Sequence, residues 1–215
     1  MKSATQTPAL EIATERLLIQ VPGVSAGPRV AEYCRRNRDH LARWEPPRPD
    51  EYYTSRFWGK QIAASRAEFE QGNSVRTVLV GREPTAKDQG RSGRVIGVMN
   101  LSQIVRGGFQ AGIVGYSLDA EEQGRGLMCE GLLALIEYAF LDLGLHRVMA
   151  NYRPENERSA RVLERLGFER EGYAKEYLYI DGAWRDHVLT SLVRPADGIP
   201  IARASRSASV PKGVS

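Results

Sequence analysis

The residues best placed to do chemistry stand in one stretch, Ile113 to Met128. It opens as an apolar strand, Ile113-Val114-Gly115-Tyr116-Ser117-Leu118, and crosses an acidic bridge from Asp119 to Glu122. It then turns at Gln123-Gly124-Arg125-Gly126-Leu127-Met128 into an apolar helix. A strand, a glycine turn and a helix start bring successive backbone N–H groups to one point. Those donors lack helical partners and the helix dipole adds to their field, so the chemistry offered is anion binding. Gly124 and Gly126 have no Cβ, which lets a bulky phosphate approach the main chain. A second cluster is Asn156-x-x-Ser159, where an N-cap residue precedes a hydroxyl on the first turn of a helix.

The spacing excludes two nucleotide loops. Cys129 stands where the third glycine of a dinucleotide fingerprint belongs, and no Lys-Ser/Thr pair follows the glycines as in a phosphate-binding P-loop. A solvent-exposed strand–helix turn stays open as the plain alternative. His146 and His187 sit in strand patterns and read as structural histidines. No Ser/His/Asp triad and no metal-ligand spacing stand out, so no metal is expected. The two cysteines, Cys34 and Cys129, form neither a C-x-x-C pair nor a disulfide framework.

The elements that must position these groups follow from periodicity. Residues 1–13 read as a flexible tail, 14–193 as one domain and 194–215 as a second flexible, basic tail rich in Ser, Ala, Pro and Gly. A strand begins at Thr14 and turns at Pro22-Gly23, and a helix fits 25–38. His40 to Pro49 is a proline-stiffened loop, in which Trp44 and Glu45 suit either substrate contact or core anchoring. A helix over 51–71 precedes strands at 74–81, 95–101 and 110–118, with a polar loop over 83–93. A helix over 126–142, a strand over 146–152 and a helix over 157–166 follow. Strands at 173–180 and 184–193 flank Asp181-Gly182, a two-residue hairpin signal. This order predicts an α/β fold: a mixed, mostly antiparallel sheet, a parallel pair splaying beside the glycine loop, and flanking helices.

The 215 residues suffice for one core plus tails, and 42% hydrophobic with 26% charged residues fits a globular protein. The net charge is +4, and Arg194, Arg203, Arg206 and Lys212 against Asp197 put most of it in the last segment. That distribution implies no broad nucleic-acid-binding face, though the basic tail could brush RNA. No signal-type or membrane-length apolar run stands out, so a cytoplasmic protein is expected.

Gln123-Gly124-Arg125-Gly126-Leu127 resembles the Gln/Arg-x-x-Gly-x-Gly/Ala signature of the Gcn5-related N-acetyltransferases (GNATs), with Met128 replacing the last small residue. Thr14-Glu15-Arg16-Leu17, Asn37-Arg38-Asp39-His40-Leu41 to Trp44-Glu45-Pro46, Val105-Arg106-Gly107, Gly115-Tyr116-Ser117, His146 to Tyr152 and Asp181-Gly182-Ala183-Trp184-Arg185-Asp186-His187 resemble the ribosomal-protein-alanine (Rim-type) branch, closest to its RimJ group. The likeness spans about 14–193 and implies a GNAT fold. It implies acetyl-CoA as co-substrate, with its pyrophosphate on Gln123, Gly124, Arg125, Gly126, Leu127 and Met128. The pantetheine would run along Tyr116, Ser117 and Leu118, with Asn156 and Ser159 facing it. Trp44 and Glu45 would contact the substrate.

Other GNATs place a tyrosine acid where Leu163 stands, and Rim-type relatives assign that task to a serine at the position of Ser159. Some relatives carry a glutamate base where Asn151 stands, so Glu176, Tyr177, Glu45 and Asp119 are the candidate bases here. The implied reaction is direct acetyl transfer to the N-terminal alanine amine of a small-subunit ribosomal protein. The alternatives are another small amine, peptide or antibiotic, or a non-catalytic acyl-CoA-binding assembly factor. The implied partner is a ribosomal protein N-terminus or a ribosomal particle, with no membrane and no sequence-specific nucleic acid, for a monomer or homodimer.

Overall fold

The computed structural model describes residues 7–82 and 93–196 and the backbone of 205–208. The polar loop expected over 83–93 lies, apart from Gly93, outside the described residues, as do residues 1–6 and most of the segment after 196.

Among the described residues nine strands form one sheet, in the order β7 (Glu169–Ile180), β8 (Ala183–Val193), β6 (Arg147–Tyr152), β5 (Ala111–Leu118), β4 (Val95–Val105), β3 (Val75–Gly81), β2 (Leu17–Val21), β1 (Leu10–Ala13) and β9 (Ser205–Ala208). β1 (Leu10–Ala13) and β2 (Leu17–Val21) open the chain and pair antiparallel, Leu10 opposite Val21. Residues 10–13, expected from the sequence as part of a flexible tail, are a strand. Leu10 and Ile12 are buried in the core while Glu11 and Ala13 are not, a period-2 pattern four residues long. Thr14 closes the turn, its N–H donating to the Leu17 carbonyl at 2.9 Å. At the far end the backbone of Ser205–Ala208 (β9) pairs antiparallel with β1.

The region expected as one helix over 25–38 is a short 3-10 turn followed by α1 (Gly27–Arg36) and, past Asn37, α2 (Arg38–Ala42). The stretch expected as one helix over 51–71 also divides. A 3-10 turn at Asp50–Tyr53 precedes α3 (Ser55–Glu70), because Thr54 is extended and caps α3 by accepting from the Phe57 N–H at 3.2 Å. β3 (Val75–Gly81), β4 (Val95–Val105) and β5 (Ala111–Leu118) form the antiparallel meander. α4 (Leu127–Leu141) crosses over to β6 (Arg147–Tyr152), which pairs parallel with β5. α5 (Glu157–Arg165) leads to β7 (Glu169–Ile180) and β8 (Ala183–Val193), joined at Asp181-Gly182.

The sheet separates two cores. On one face α4 and α5 bury Met128, Leu132, Leu135, Tyr138 and Leu163 against Leu79, Met99 and Val148. The approach is close: a Cβ on Gly131 would sit 2.7 Å from Leu79 Cδ2, so glycine lets α4 lie directly on β3 and β4. On the other face α1 and α3 bury Val30, Tyr33, Cys34 and Ile62 against Val78, Val80 and Val95. The chemistry expected from the sequence falls between these layers, at the parallel pair of β5 and β6.

Candidate functional site

The parallel pair holds through Ala111↔Arg147, Gly112↔Val148 and Ile113↔Met149. From Val114 to Leu118, β5 keeps its pairing with β4 while its pairing with β6 has stopped, among the described residues. The two strands therefore splay, and one edge of Tyr116–Leu118 offers backbone donors and acceptors to an extended ligand.

The glycine turn begins where this edge ends. Gly124 and Gly126 both have φ of 76°, a left-handed conformation that L side chains rarely adopt. Gly126 is the N-cap of α4, and no side chain caps that end of the helix. A Cβ on Gly124 would meet nothing within 4 Å, so the space before it is open. An uncapped helix start behind an open glycine turn suits a phosphate anion.

Two sets of side chains hold the turn. Glu130, on the first turn of α4, accepts from the Thr14 hydroxyl (2.6 Å), the Arg16 N–H (2.9 Å) and the Arg16 Nε (2.6 Å). The Arg16 guanidinium also donates to the Arg125 carbonyl at 2.9 Å. Burial works against ionising Glu130, but the Thr14 and Arg16 bonds together hold its pKa below the ordinary carboxylate value. Thr14-Glu15-Arg16 thus has a physical task, which is to hold the first turn of α4. Arg125 itself pairs with Glu122.

The other set ties the turn to α1, α2 and α5. Buried Asp119 accepts from Arg36 Nε at 2.8 Å and from Arg94 at 3.2 Å. Burial opposes its ionisation, and the Arg36 bond, the Glu121 N–H and the two arginine charges overcome that and lower its pKa. Asn37 accepts from the Ala120 N–H at 3.0 Å. Gln123 meets His40 Nε2 at 2.8 Å and accepts from Arg158.

Across the splay, the hydroxyls of Tyr116 and Ser159 are 2.7 Å apart. Asn156 caps α5 by accepting from the Ser159 N–H at 3.1 Å, which fixes the serine on the first turn. Burial pushes the Tyr116 phenol well above its ordinary pKa, so it is protonated at neutral pH. Leu163 faces the core from the same helix. The residues present fit acetyl-CoA: an open anion cradle, a free strand edge and a protonated hydroxyl pair lie in sequence along one path.

The other side of the splay carries a cavity of about 510 Å³. Tyr33, Tyr52, Trp58, Asn100, Glu45 and Ser117 are among its lining residues. Tyr33 and Ser117 share a hydrogen bond of 2.9 Å that joins α1 to β5. Glu45 pairs with Arg48 at 3.2 Å. Burial pushes the Cys34 thiol up to about 11, so this cysteine stays protonated. The hairpin turn Asp181-Gly182 reaches the same cavity.

The sequence-expected residues divide accordingly. The glycine turn, Tyr116–Leu118, Asn156 and Ser159 come together around the splay, and Glu45 lines the cavity. Trp44 is half-buried between guanidinium groups, 4.3 Å from Arg43 and 5.5 Å from Arg153. Glu176 is exposed on a bulge of β7, with φ of 49° and its N–H donating to Asp186 at 2.8 Å. The Tyr177 hydroxyl accepts from Asn151 at 3.1 Å, and its ring packs on buried His187, 5.4 Å between centroids. Asp119 is committed to its arginines. Sequence reasoning assigns no site role to Tyr33, Asn37, His40 and Arg158, although Asn37 and His40 fall in a stretch that carries the family resemblance, since each acts through a partner more than thirty residues away. Among the described residues, no group of three or more His, Cys, Asp or Glu could hold a metal ion, and no helix is long and apolar enough to cross a membrane.

A family model described as an acetyltransferase (GNAT) domain matches residues 16–169. The ribosomal protein uS5-alanine N-acetyltransferase of Escherichia coli (strain K12) is 41% identical over 191 residues, covering 89% of this chain and 94% of that protein. A probable N-acetyltransferase of Bacillus subtilis (strain 168), YjcK, is 36% identical over 161 residues, covering 75% of this chain and 84% of that one. Among solved structures, the ribosomal-protein-S5-alanine acetyltransferase of Vibrio fischeri superposes with a TM-score of 0.79 at 38% identity, covering 88% of this chain and 99% of that one. Mycobacterium smegmatis RimJ in complex with CoA-disulfide superposes with a TM-score of 0.77 at 25% identity, covering 90% and 88%.

Proposed function

The chain belongs to the acetyltransferase (GNAT) family, and from that premise we propose that it moves an acetyl group from acetyl-CoA to the N-terminal alanine amine of a small-subunit ribosomal protein. The observation that carries the choice of acceptor is the near-full-length likeness to the E. coli uS5-alanine enzyme.

In this reading the backbone N–H groups from Gly124 to Met128 take the pyrophosphate, and the Tyr116–Leu118 edge aligns the pantetheine. A backbone donor on that edge stabilises the charge that develops on the carbonyl oxygen as the amine attacks. The bond that forms joins the amine nitrogen to the acyl carbon, and the bond that breaks joins that carbon to sulfur. Ser159, backed by the Tyr116 hydroxyl, gives the leaving thiolate its proton. The acceptor enters from the side of the 510 Å³ cavity, past Glu45 and Trp44.

The amine must arrive unprotonated. An α-amine titrates near 8 and a lysine near 10.4, so freeing the α-amine costs roughly 3 kcal/mol less. A modest base serves it. Glu176, Glu45 and Tyr177 are the proposed bases, while Asp119 is set aside because its arginine partners occupy its carboxylate and lower its affinity for a proton. None of these steps calls for a metal. The acceptor makes the protein a cytoplasmic one that meets ribosomal proteins, as monomer or homodimer, with residues 14–193 as the catalytic unit.

The test is to incubate the protein with acetyl-CoA and an unacetylated small-subunit ribosomal protein that begins with alanine. One acetyl group added to the N-terminal peptide, read by mass spectrometry, is expected. Acetylation of lysine side chains alone would reject the reading.

A further inference from the structure

Gln123 opens the glycine turn, and both ends of its side chain are taken. An arginine can only donate, so the atom that meets Arg158 is the amide oxygen, and the amide nitrogen faces His40. An amide nitrogen can only donate in turn. His40 Nε2, 2.8 Å away, is therefore an acceptor, and the imidazole is neutral with its proton on Nδ1. His40 belongs to α2, whose Arg38, Asp39, Leu41 and Ala42 line the acceptor-side cavity. Arg158 is the residue before Ser159 on α5.

We propose that His40 is a positioning residue for the cofactor loop, and that the His40–Gln123–Arg158 chain couples the acceptor-side loop to the anion cradle. The proposal rests on the acetyl-CoA reading of the glycine turn and adds to it a residue on the opposite side of the splay. Two fixed points beside the chain support it. Asn37 holds the Ala120 N–H from the start of α2, and Arg36 holds Asp119 from the end of α1. The segment from Asp119 to Gln123 therefore hangs on the helices that form the cavity wall, and Gln123 is the last point of attachment before Gly124.

The link works only while His40 is neutral. The groups facing His40 are the Gln123 amide, Arg158 from α5, Asp119 beyond the end of β5 and the Leu118 backbone. Burial first, then the Arg158 charge, hold its pKa below the ordinary 6.5, against the Leu118 backbone hydrogen bond and, less strongly, the Asp119 charge. Protonation would turn the acceptor nitrogen into a donor facing another donor, with Arg158 close by. The cofactor loop would lose its link to α2 through His40 at acid pH, while its other contacts remain.

The experiment measures CoA binding to the full chain by calorimetry between pH 8 and 5.5, for wild type, His40→Gln and His40→Phe. The 3′-phosphate of CoA titrates in the same range, so each variant is compared with wild type in identical buffers. His40→Phe removes the acceptor and is expected to weaken CoA roughly three- to ten-fold at pH 8, the size of one neutral hydrogen bond. His40→Gln supplies a carbonyl oxygen that does not titrate. It is expected to restore wild-type affinity at pH 8 and to lose less affinity than wild type on acidification. Wild-type affinity in His40→Phe, or an unchanged acid loss in His40→Gln, would overturn the proposal while leaving the acetyl-CoA reading intact. Failure of the wild-type chain to bind CoA would overturn both.

Discussion

The Tyr116 and Ser159 hydroxyls meet at 2.7 Å, one from a strand of the splayed pair and one from the first turn of α5. Each oxygen can donate, so the pair can pass a proton outward and re-form. The serine is fixed through Asn156 and the tyrosine is kept protonated by burial. Ser159→Ala is expected to lower kcat by roughly 100-fold or more, the usual size of a lost general acid. The KM for acetyl-CoA should change little. Tyr116→Phe should lower kcat less, because Ser159 keeps its own proton. Steady-state thiol release checks both.

Two glycines test the difference between a cradle and a packing contact. Gly124 is left-handed with open space before it, so Gly124→Ala strains the backbone by about 1 kcal/mol and puts a methyl group where the phosphate approaches. A large rise in the Kd for CoA with a small change in Tm is expected. Gly131 is helical, and its new Cβ would lie 2.7 Å from Leu79 and 3.3 Å from Met99. Gly131→Ala should cost about 1–3 kcal/mol of stability by overpacking. Denaturant melts and CoA titration of the two variants separate these effects.

Acid should weaken the fold through two carboxylates. Asp119 and Glu130 both have folded-state pKa values below their ordinary 3.8 and 4.5. The unfolded chain therefore binds their protons first. Their contribution is complete above those ordinary values and is lost as pH falls through and below them. Asp119→Asn leaves Arg36 and Arg94 without their shared partner, and the arginines keep some solvent contact, so a loss of about 2 kcal/mol at pH 7 is expected. The same substitution should cost less at pH 3, below the ordinary carboxyl value of 3.8. Urea unfolding at the two pH values is the check.

Local signals in the chain identified most of the sheet, and they picked out the glycine turn, Asn156 and Ser159, which the structure gathers at the splay. The glycine turn, the Asn156 cap and the Asp181-Gly182 hairpin are each written within a few residues, so their chemistry is visible without the fold. Leu10–Ala13 escaped because four alternating residues beside a polar start make too short a pattern. Thr54 divided an expected helix because its capping role depends on an extended backbone that hydrophobic periodicity does not register. The acceptor side was less legible. Tyr33, His40 and Arg158 meet their partners only through tertiary contact, and Trp44 packs between two arginines that lie 110 residues apart in the chain.

The measurement that tests the central claim most directly is steady-state thiol release from acetyl-CoA with a peptide panel. The panel holds peptides beginning with Ala, Ser or Met, and a terminally blocked control with a free lysine. Release with the free alanine terminus, highest in the panel and absent from the blocked control, is the predicted result. Release driven by the lysine control, or none with any peptide despite tight acetyl-CoA binding, would contradict the N-terminal acetyltransferase assignment.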